Sequence, residues 1–333
     1  MMKRVNKVKV AAVFMLATAL SPALAQVPAA ATPVAQQKHQ APGFYRMMLG
    51  KFEITAVSDG TVTIPLDKLL LDITPAMLKQ RLADEDMSAN VETSINAYVI
   101  NTGSNLILVD TGSGPLFGNN GGRLLENLRA AGYPAEKIDT VLLTHIHADH
   151  SGGLVHNGQY AFPNATVWVN QRDVDFWLNP RNIGQVRESE KHTFAESASS
   201  FRPVIAAGKL KTFTGQTQLF PGINAIPAPG HTPGHTLYMI ESAGQKLLIW
   251  GDTIHSSAVQ FPDPDTTITY DWDKTQAAKS RKAILEEAVK NDYLIAADHI
   301  AFPGLGHVKY RDRTGDRRGY RWVPVNYSLA GLE

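Results

Sequence analysis

The chain has 333 residues, 44% hydrophobic and 19% charged, a balance that supports a sizeable core and excludes a disordered chain. Its formal net charge of +1 argues against a nucleic-acid binder, which draws on a basic excess. Cysteine is absent, so no disulfide can form and any metal site must use His, Asp or Glu.

Lys3, Arg4, Lys7 and Lys9 precede an apolar run from Val10 to Leu20, and Ala23-Leu24-Ala25 reads as a cleavage site. The pattern predicts a signal peptide over 1–25 and export, with a bacterial periplasm as the expected destination. The run falls short of the roughly 20 apolar residues that span a bilayer, so no stable membrane anchor is expected. Cleavage would take four basic residues and no acid, turning the net charge from +1 to −3. Residues 26–42 are rich in Ala, Pro and Gln and read as a flexible leader. From 43 to 333 no linker or low-complexity gap interrupts the chain, which predicts one domain.

Phe52 to Val57 alternates, and Ile95 to Ile100 and Leu106 to Val109 are β-rich runs parted by the turn Asn101-Thr102-Gly103-Ser104. Gly122 to Ala131 reads as a helix with Leu124, Leu125 and Leu128 on one face. Ile138 to Leu143 reads as a short buried strand. Ala165 to Val169, Ile223 to Ile226, Thr236 to Glu241 and Lys246 to Trp250 read as further strands. Asp273 to Lys290 reads as a helix, with Asp273 as N-cap. Leu294 to Ala297 is a last short strand. Strands followed by a helix, twice over, predict two sheets packed face to face with helices outside.

The strand ending at Leu143 runs straight into THIHADHSGG, which crowds His145, His147, Asp149 and His150 into six positions. Three imidazoles and a carboxylate at that density point to a cation, for which they are good ligands. Three other strand ends add candidates: PGHTPGH with His231 and His235, IWGDTIH with Asp252 and His255, and AADHIAFPG with His299. His235, four residues after His231, reads as a core hydrogen-bonding residue. His39, His156, His192 and His307 read as surface or core residues rather than ligands.

The THIHADH stretch resembles the T-H-x-H-x-D-H signature of the metallo-β-lactamase superfamily of hydrolases, and PGHTPGH, GDTI and ADH follow in that family's order. The resemblance implies an α+β fold, the αββα four-layer sandwich of two β-sheets flanked by helices. It implies two divalent metal ions, zinc first, with manganese, cobalt or iron as alternatives. One would take His145, His147 and His231, the other Asp149, His150 and His299, with Asp252 bridging. Asp110 looks like the carboxylate that orients a ligand. FYRMMLGKFEITAVSDGT, AVQFPDP and RWVPVNYS resemble the methyl parathion hydrolase-like group and its related lactonases.

That likeness implies opening of lactones or aryl esters by a hydroxide shared between the metals, with organophosphate triester hydrolysis as a promiscuous activity. The alternative is a dedicated phosphotriesterase. His255 after the bridging carboxylate, and the weakly basic LDKLLL from Leu66 to Leu71, favour the lactone or aryl ester. Catalytic candidates are Asp149, as proton carrier to the leaving group, Asp252 and His255. Substrate-binding candidates are Phe117, Trp177, Phe194, Tyr270 and His255. The expected partner is a small hydrophobic ester, lactone or phosphotriester, with a homodimer as a further expectation.

Overall fold

The computed structural model describes residues 34–312 and 319–332, and the expected signal peptide lies outside them. The chain divides into two compact units, Met1–His39 and Gln40–Glu333. In the first, the described residues 34–39 are exposed and carry no helix or strand. In the second, fourteen strands form two seven-stranded sheets, each with its strands in chain order.

The first sheet runs β1 (Phe44–Leu49), β2 (Phe52–Pro65), β3 (Asn90–Asn101), β4 (Leu106–Val109), β5 (Thr140–Leu142), β6 (Thr166–Asn170) and β7 (Leu210–Phe213). Its first three pairings are antiparallel and the last three parallel. The second runs β8 (Thr217–Phe220), β9 (Ile223–Pro227), β10 (Thr236–Ser242), β11 (Gln245–Ile249), β12 (Leu294–Ala296), β13 (Leu305–Tyr310) and β14 (Tyr320–Pro324). Only β11 and β12 pair in parallel there.

Alternation along each strand sorts side chains into layers. Ile107 and Val109 of β4 join Tyr238, Ile240 and Ile249 of the second sheet in the apolar core between the sheets. Leu108, one residue out of phase, packs instead with Leu124 and Leu128 of the helix α2 (Leu124–Ala130). The helix α6 (Lys274–Asn291) covers the other outer face through Ile284, Leu285 and Ala288. Two sheets between two helical layers make the four-layer α+β sandwich. A one-residue slip of β4 would swap its buried faces, so the pattern fixes the register.

Several elements passed unread in the sequence, among them β1, β7, β8, β13 and β14 and the helices α1 (Pro75–Asp84), α4 (Gln171–Trp177) and α5 (His192–Ala206). The helix α1 is capped by Thr74, whose hydroxyl accepts from Met77 N. The helix α5 points Phe194, Ser197, Phe201 and Val204 inward at helical spacing. Among the described residues no helix is long and apolar enough to cross a membrane.

Candidate metal centre

The loop after β5 is fixed from its first residue. Asp110, at the end of β4 with φ +60, accepts from Thr144 N (2.8 Å) and Thr144 Oγ1 (2.7 Å). Asp173 accepts from Ile146 N (3.0 Å), Thr232 Oγ1 (2.9 Å) and Gly234 N, tying this loop to the one that carries His231. A one-turn helix, α3 (Ala148–Ser151), then swings Asp149 and His150 round beside His145 and His147. Gly153 closes the turn against β4, where a Cβ would sit 1.9 Å from Thr111 O.

The ligand candidates fall into two tetrads sharing one carboxylate. His145 Nε2 and His231 Nε2 each lie 3.1 Å from His147 Nδ1, and Asp252 Oδ2 lies 3.6 Å and 3.1 Å from the same two Nε2 atoms. On the other side, Asp252 Oδ1 lies 3.0 Å from both His150 Nε2 and His299 Nε2. Asp149 Oδ2 completes that group at 3.6 Å and 3.4 Å from those nitrogens. Four donors at 2.0–2.1 Å around a tetrahedral cation stand about 3.3 Å apart, and the separations given above, 3.0–3.6 Å, are of that size in both groups.

Outward hydrogen bonds set the tautomers. His150 Nδ1 faces Asp110 Oδ2 (2.8 Å), His231 Nδ1 faces Asp271 Oδ1 (3.0 Å) and His299 Nδ1 faces Ser94 O (2.9 Å). Carboxylates and carbonyls only accept, so these nitrogens carry the hydrogen and each Nε2 lone pair points inward. Thr144 Oγ1 gives its hydrogen to Asp110 and therefore accepts from His145 Nδ1 (3.0 Å), freeing His145 Nε2 likewise. His150 Nε2 and Asp252 Oδ1 are buried without any hydrogen-bond partner, the signature of atoms reserved for a cation.

The electrostatics ask for positive charge at the same place. Burial opposes ionisation of Asp252, but the imidazoles of His150, His299, His145 and His231 hold its carboxyl well below the usual range. Burial, reinforced by neighbouring rings, keeps His145 and His147 neutral. Burial works against protonation of His231 and His299 too, yet the Asp252 carboxylate lifts both to about 9. Protons and divalent cations thus compete for the same nitrogens.

His235 stands apart, as expected. Its Nδ1 donates to Ala228 O (3.1 Å) and its Nε2 accepts from Asp252 N (3.0 Å), while burial drops its pKa to about 3. His39 and His156 are exposed and His307 is half-buried. His192 also has an exposed side chain, but it sits on the rim of the cavity above the tetrads.

That cavity has a volume of about 510 Å³. Val62, Ile64, Leu69, Phe117 and Tyr270 form its apolar walls, and His147, Asp149, Asp252, His255 and His299 form its floor. Phe117, Tyr270 and His255 are therefore where substrate contact was expected. Trp177 and Phe194 are not, which corrects the expectation for both. They are 3% and 5% exposed and pack with Phe176 on the outer face of the first sheet. The helical spacing of α5 turns Phe194 inward, and the Trp177 ring backs His147 at 5.2 Å instead of facing the cavity.

His255 sends Nε2 to Asp252 Oδ2 (3.1 Å), and its Nδ1 is buried without a partner. It walls the cavity and braces Asp252. Arg187, Glu190 and Glu196 add charged groups to the cavity lining, and Arg187 Nη1 donates to Thr269 O (3.2 Å). Asp271, Asp173, Asp298 and these two glutamates were not found in the sequence. Asp298 lies 3.4 Å from His150 Nδ1, and burial, with the Asp110 carboxylate beside it, pushes its carboxyl well above the usual range.

Comparisons with known proteins agree with this geometry. Residues 91–299 match the model of the metallo-beta-lactamase superfamily. An N-acyl homoserine lactonase of Bacillus sp is 26% identical over 223 residues, covering 61% of this chain and 79% of that protein. The solved structure of AbOPH, described as a hydrolase in the beta lactamase superfamily, is 35% identical with a TM-score of 0.82, covering 87% of this chain and 100% of that one. AidC, described as a dizinc quorum-quenching lactonase in complex with a product, N-hexnoyl-L-homoserine, is 30% identical with a TM-score of 0.79, covering 86% and 98%.

Proposed function

From the metallo-β-lactamase superfamily, to which this chain belongs, we propose a di-metal hydrolase that opens lactones or aryl esters, with N-acyl homoserine lactones as the first substrates to try. The observation that carries the proposal is the pair of tetrads around Asp252 at the floor of a mostly apolar cavity. His145, His147, His231 and Asp252 would hold one divalent cation, and Asp149, His150, His299 and Asp252 the other, with zinc as the first choice. When bound, such a pair lowers the pKa of water enough to supply hydroxide near neutral pH and polarises the carbonyl under attack.

The chain's own residues supply the rest. Asp110, Asp271, Thr144 and Ser94 hold the imidazoles with their lone pairs inward, so the site needs little reorganisation on substrate binding. Asp149 lines the cavity with its side chain 19% exposed, against 4% for Asp252, and we assign it the proton that the leaving oxygen needs. Val62, Ile64 and Phe117 would shelter an acyl or aryl group from water. Away from the ligand candidates, whose negative charge the cations would offset, Glu190 and Glu196 outnumber Arg187 in the cavity lining, which favours a neutral substrate over an anionic one there. Neutral aryl phosphotriesters share that character and are expected as slower substrates.

The test is a panel of lactones, N-acyl homoserine lactones, aryl esters and a phosphotriester such as methyl paraoxon, on zinc-loaded protein. The reading predicts the highest kcat/KM on a lactone or aryl ester. A phosphotriester preference would replace it with the phosphotriesterase alternative, and no turnover of any ester would refute both.

A further inference from the structure

Arg281 of α6 is 2% exposed, and among the described residues no other lysine or arginine is buried. A buried guanidinium persists only where it is paired and hydrogen-bonded. Arg281 does not line the cavity. It borders a void of about 10 Å³ shared with His231, His235 and Asp252.

Two of its contacts reach residues that adjoin or orient members of the first tetrad, and two hold the 264–266 segment. Arg281 Nε donates to Thr253 O (2.9 Å), the residue directly after Asp252. Its Nη1 donates to Pro264 O (3.0 Å) and Thr266 O (2.7 Å), and its Nη2 lies 3.5 Å from Asp271 Oδ2. Asp271 Oδ2 also accepts from Ile268 N (3.2 Å), while its Oδ1 accepts from His231 Nδ1 (3.0 Å). A rigid five-donor fork thus reaches one ligand candidate through a carboxylate and another through the next carbonyl.

We propose that Arg281 is a positioning residue of the metal centre, fixing His231 through Asp271 and Asp252 through the Thr253 carbonyl. The inference rests on the reading of the two tetrads as cation sites. It makes the two sites unequal. His150 is oriented by Asp110 and His299 by Ser94 O, and neither contact involves Arg281. Asp252 keeps a second anchor, its N–H donating to His235 Nε2, when Arg281 is lost. Loss of the guanidinium therefore falls on the site built from His145, His147 and His231.

The experiment titrates zinc against a chelator in the wild type, Arg281→Met, Arg281→Lys and Asp271→Asn, and reads site occupancy from anomalous scattering at the zinc edge. Orienting partners of ligands typically change metal affinity 10–100-fold. Arg281→Met and Asp271→Asn should each weaken the His145/His147/His231 site by about that factor. The Asp149/His150/His299 site should stay within about threefold of wild type, well below the effect of a lost orienting partner. Arg281→Lys should recover part of the loss, because an ammonium reaches one acceptor but cannot span the fork.

Equal weakening of both sites, no weakening of either, or loss at the Asp149/His150/His299 site would overturn the proposal. If Arg281→Met fails to fold, Asp271→Asn and Arg281→Lys decide the matter by the same readouts. A wild type that binds no zinc would remove the reading of the tetrads and this inference with it. Two sites in the wild type with no change in the variants would remove this inference alone.

Discussion

Replacing Asp59 should destabilise the protein far more than a typical surface change, although Asp59 touches no ligand candidate. It sits in β2, fully buried, and its Oδ2 accepts from Ser113 N (2.8 Å), Ser113 Oγ (2.8 Å) and Gly122 N (2.9 Å). Its Oδ1 accepts from Leu124 N (3.1 Å). The loop wraps so closely that a Cβ on Gly112 would lie 2.3 Å from Asp59 Cγ. Asp59→Ala strands the buried Ser113 and Leu124 amides outright. Ser113 Oγ can rotate, and Gly122 is exposed, so water can rescue its amide. At about 1–3 kcal/mol per stranded donor, the loss should be about 2–6 kcal/mol. That is a large share of a total stability of about 5–15 kcal/mol.

Asp59→Asn can keep an oxygen where three donors meet and turn its amide toward Leu124 N only, so it should cost about 1–2 kcal/mol. The assay is urea unfolding of zinc-saturated protein, read as a shift in midpoint at constant slope. A loss below about 1 kcal/mol for Asp59→Ala would refute the assignment of those four hydrogen bonds as structural.

Removing metal with a chelator should abolish ester turnover, and adding zinc back should restore it; activity that survives with no bound metal would contradict the site. Asp252→Ala should cut zinc content at both sites, since each of its oxygens faces one tetrad, and metal analysis reads this directly. Asp149→Asn should slow esters with poor leaving groups more than those with good ones, whereas an even loss across a leaving-group series would withdraw its proton-carrying role. Glu190→Gln with Glu196→Gln should raise kcat/KM for an anionic aryl ester over its neutral methyl ester by about three- to tenfold, as expected for charges several ångströms away at high effective dielectric. A signal peptide over 1–25, as the sequence leads one to expect, predicts a periplasmic protein beginning at Gln26; N-terminal sequencing that finds an uncleaved Met1 on the native protein would refute it.

The ligand set is legible in the sequence because its chemistry is compressed. THIHADH holds four candidates within six positions, and the other three lie three or four residues past the ends of short strands. Phe52 to Val57 announces a strand by alternation and other central strands show as short β-rich runs, whereas β1, β7, β8, β13 and β14 carry no such clear signal. The helix Lys274–Asn291 is marked by Asp273, whose side chain accepts from Gln276 N as a cap does. What stays hidden is whatever depends on docking. Asp271 lies 40 residues from His231 and Asp173 lies 27 from Ile146, so no local pattern links them before the sheets meet. Trp177 and Phe194 mislead because aromatic residues outside strands look available, whereas α5, broken in composition by serines and Pro203, is a genuine amphipathic helix that turns Phe194 inward.

The first four ligand candidates belong to the front half of the chain and the last three to the back half, and the shared carboxylate of Asp252 sits on the seam between them. A cation pair there acts as a clasp across the sandwich, so each ion stabilises the closed arrangement by mass action. A hundredfold excess over the dissociation constant is worth about 2.7 kcal/mol per site. Resistance of this protein to heat and proteases would then track the free divalent metal around it.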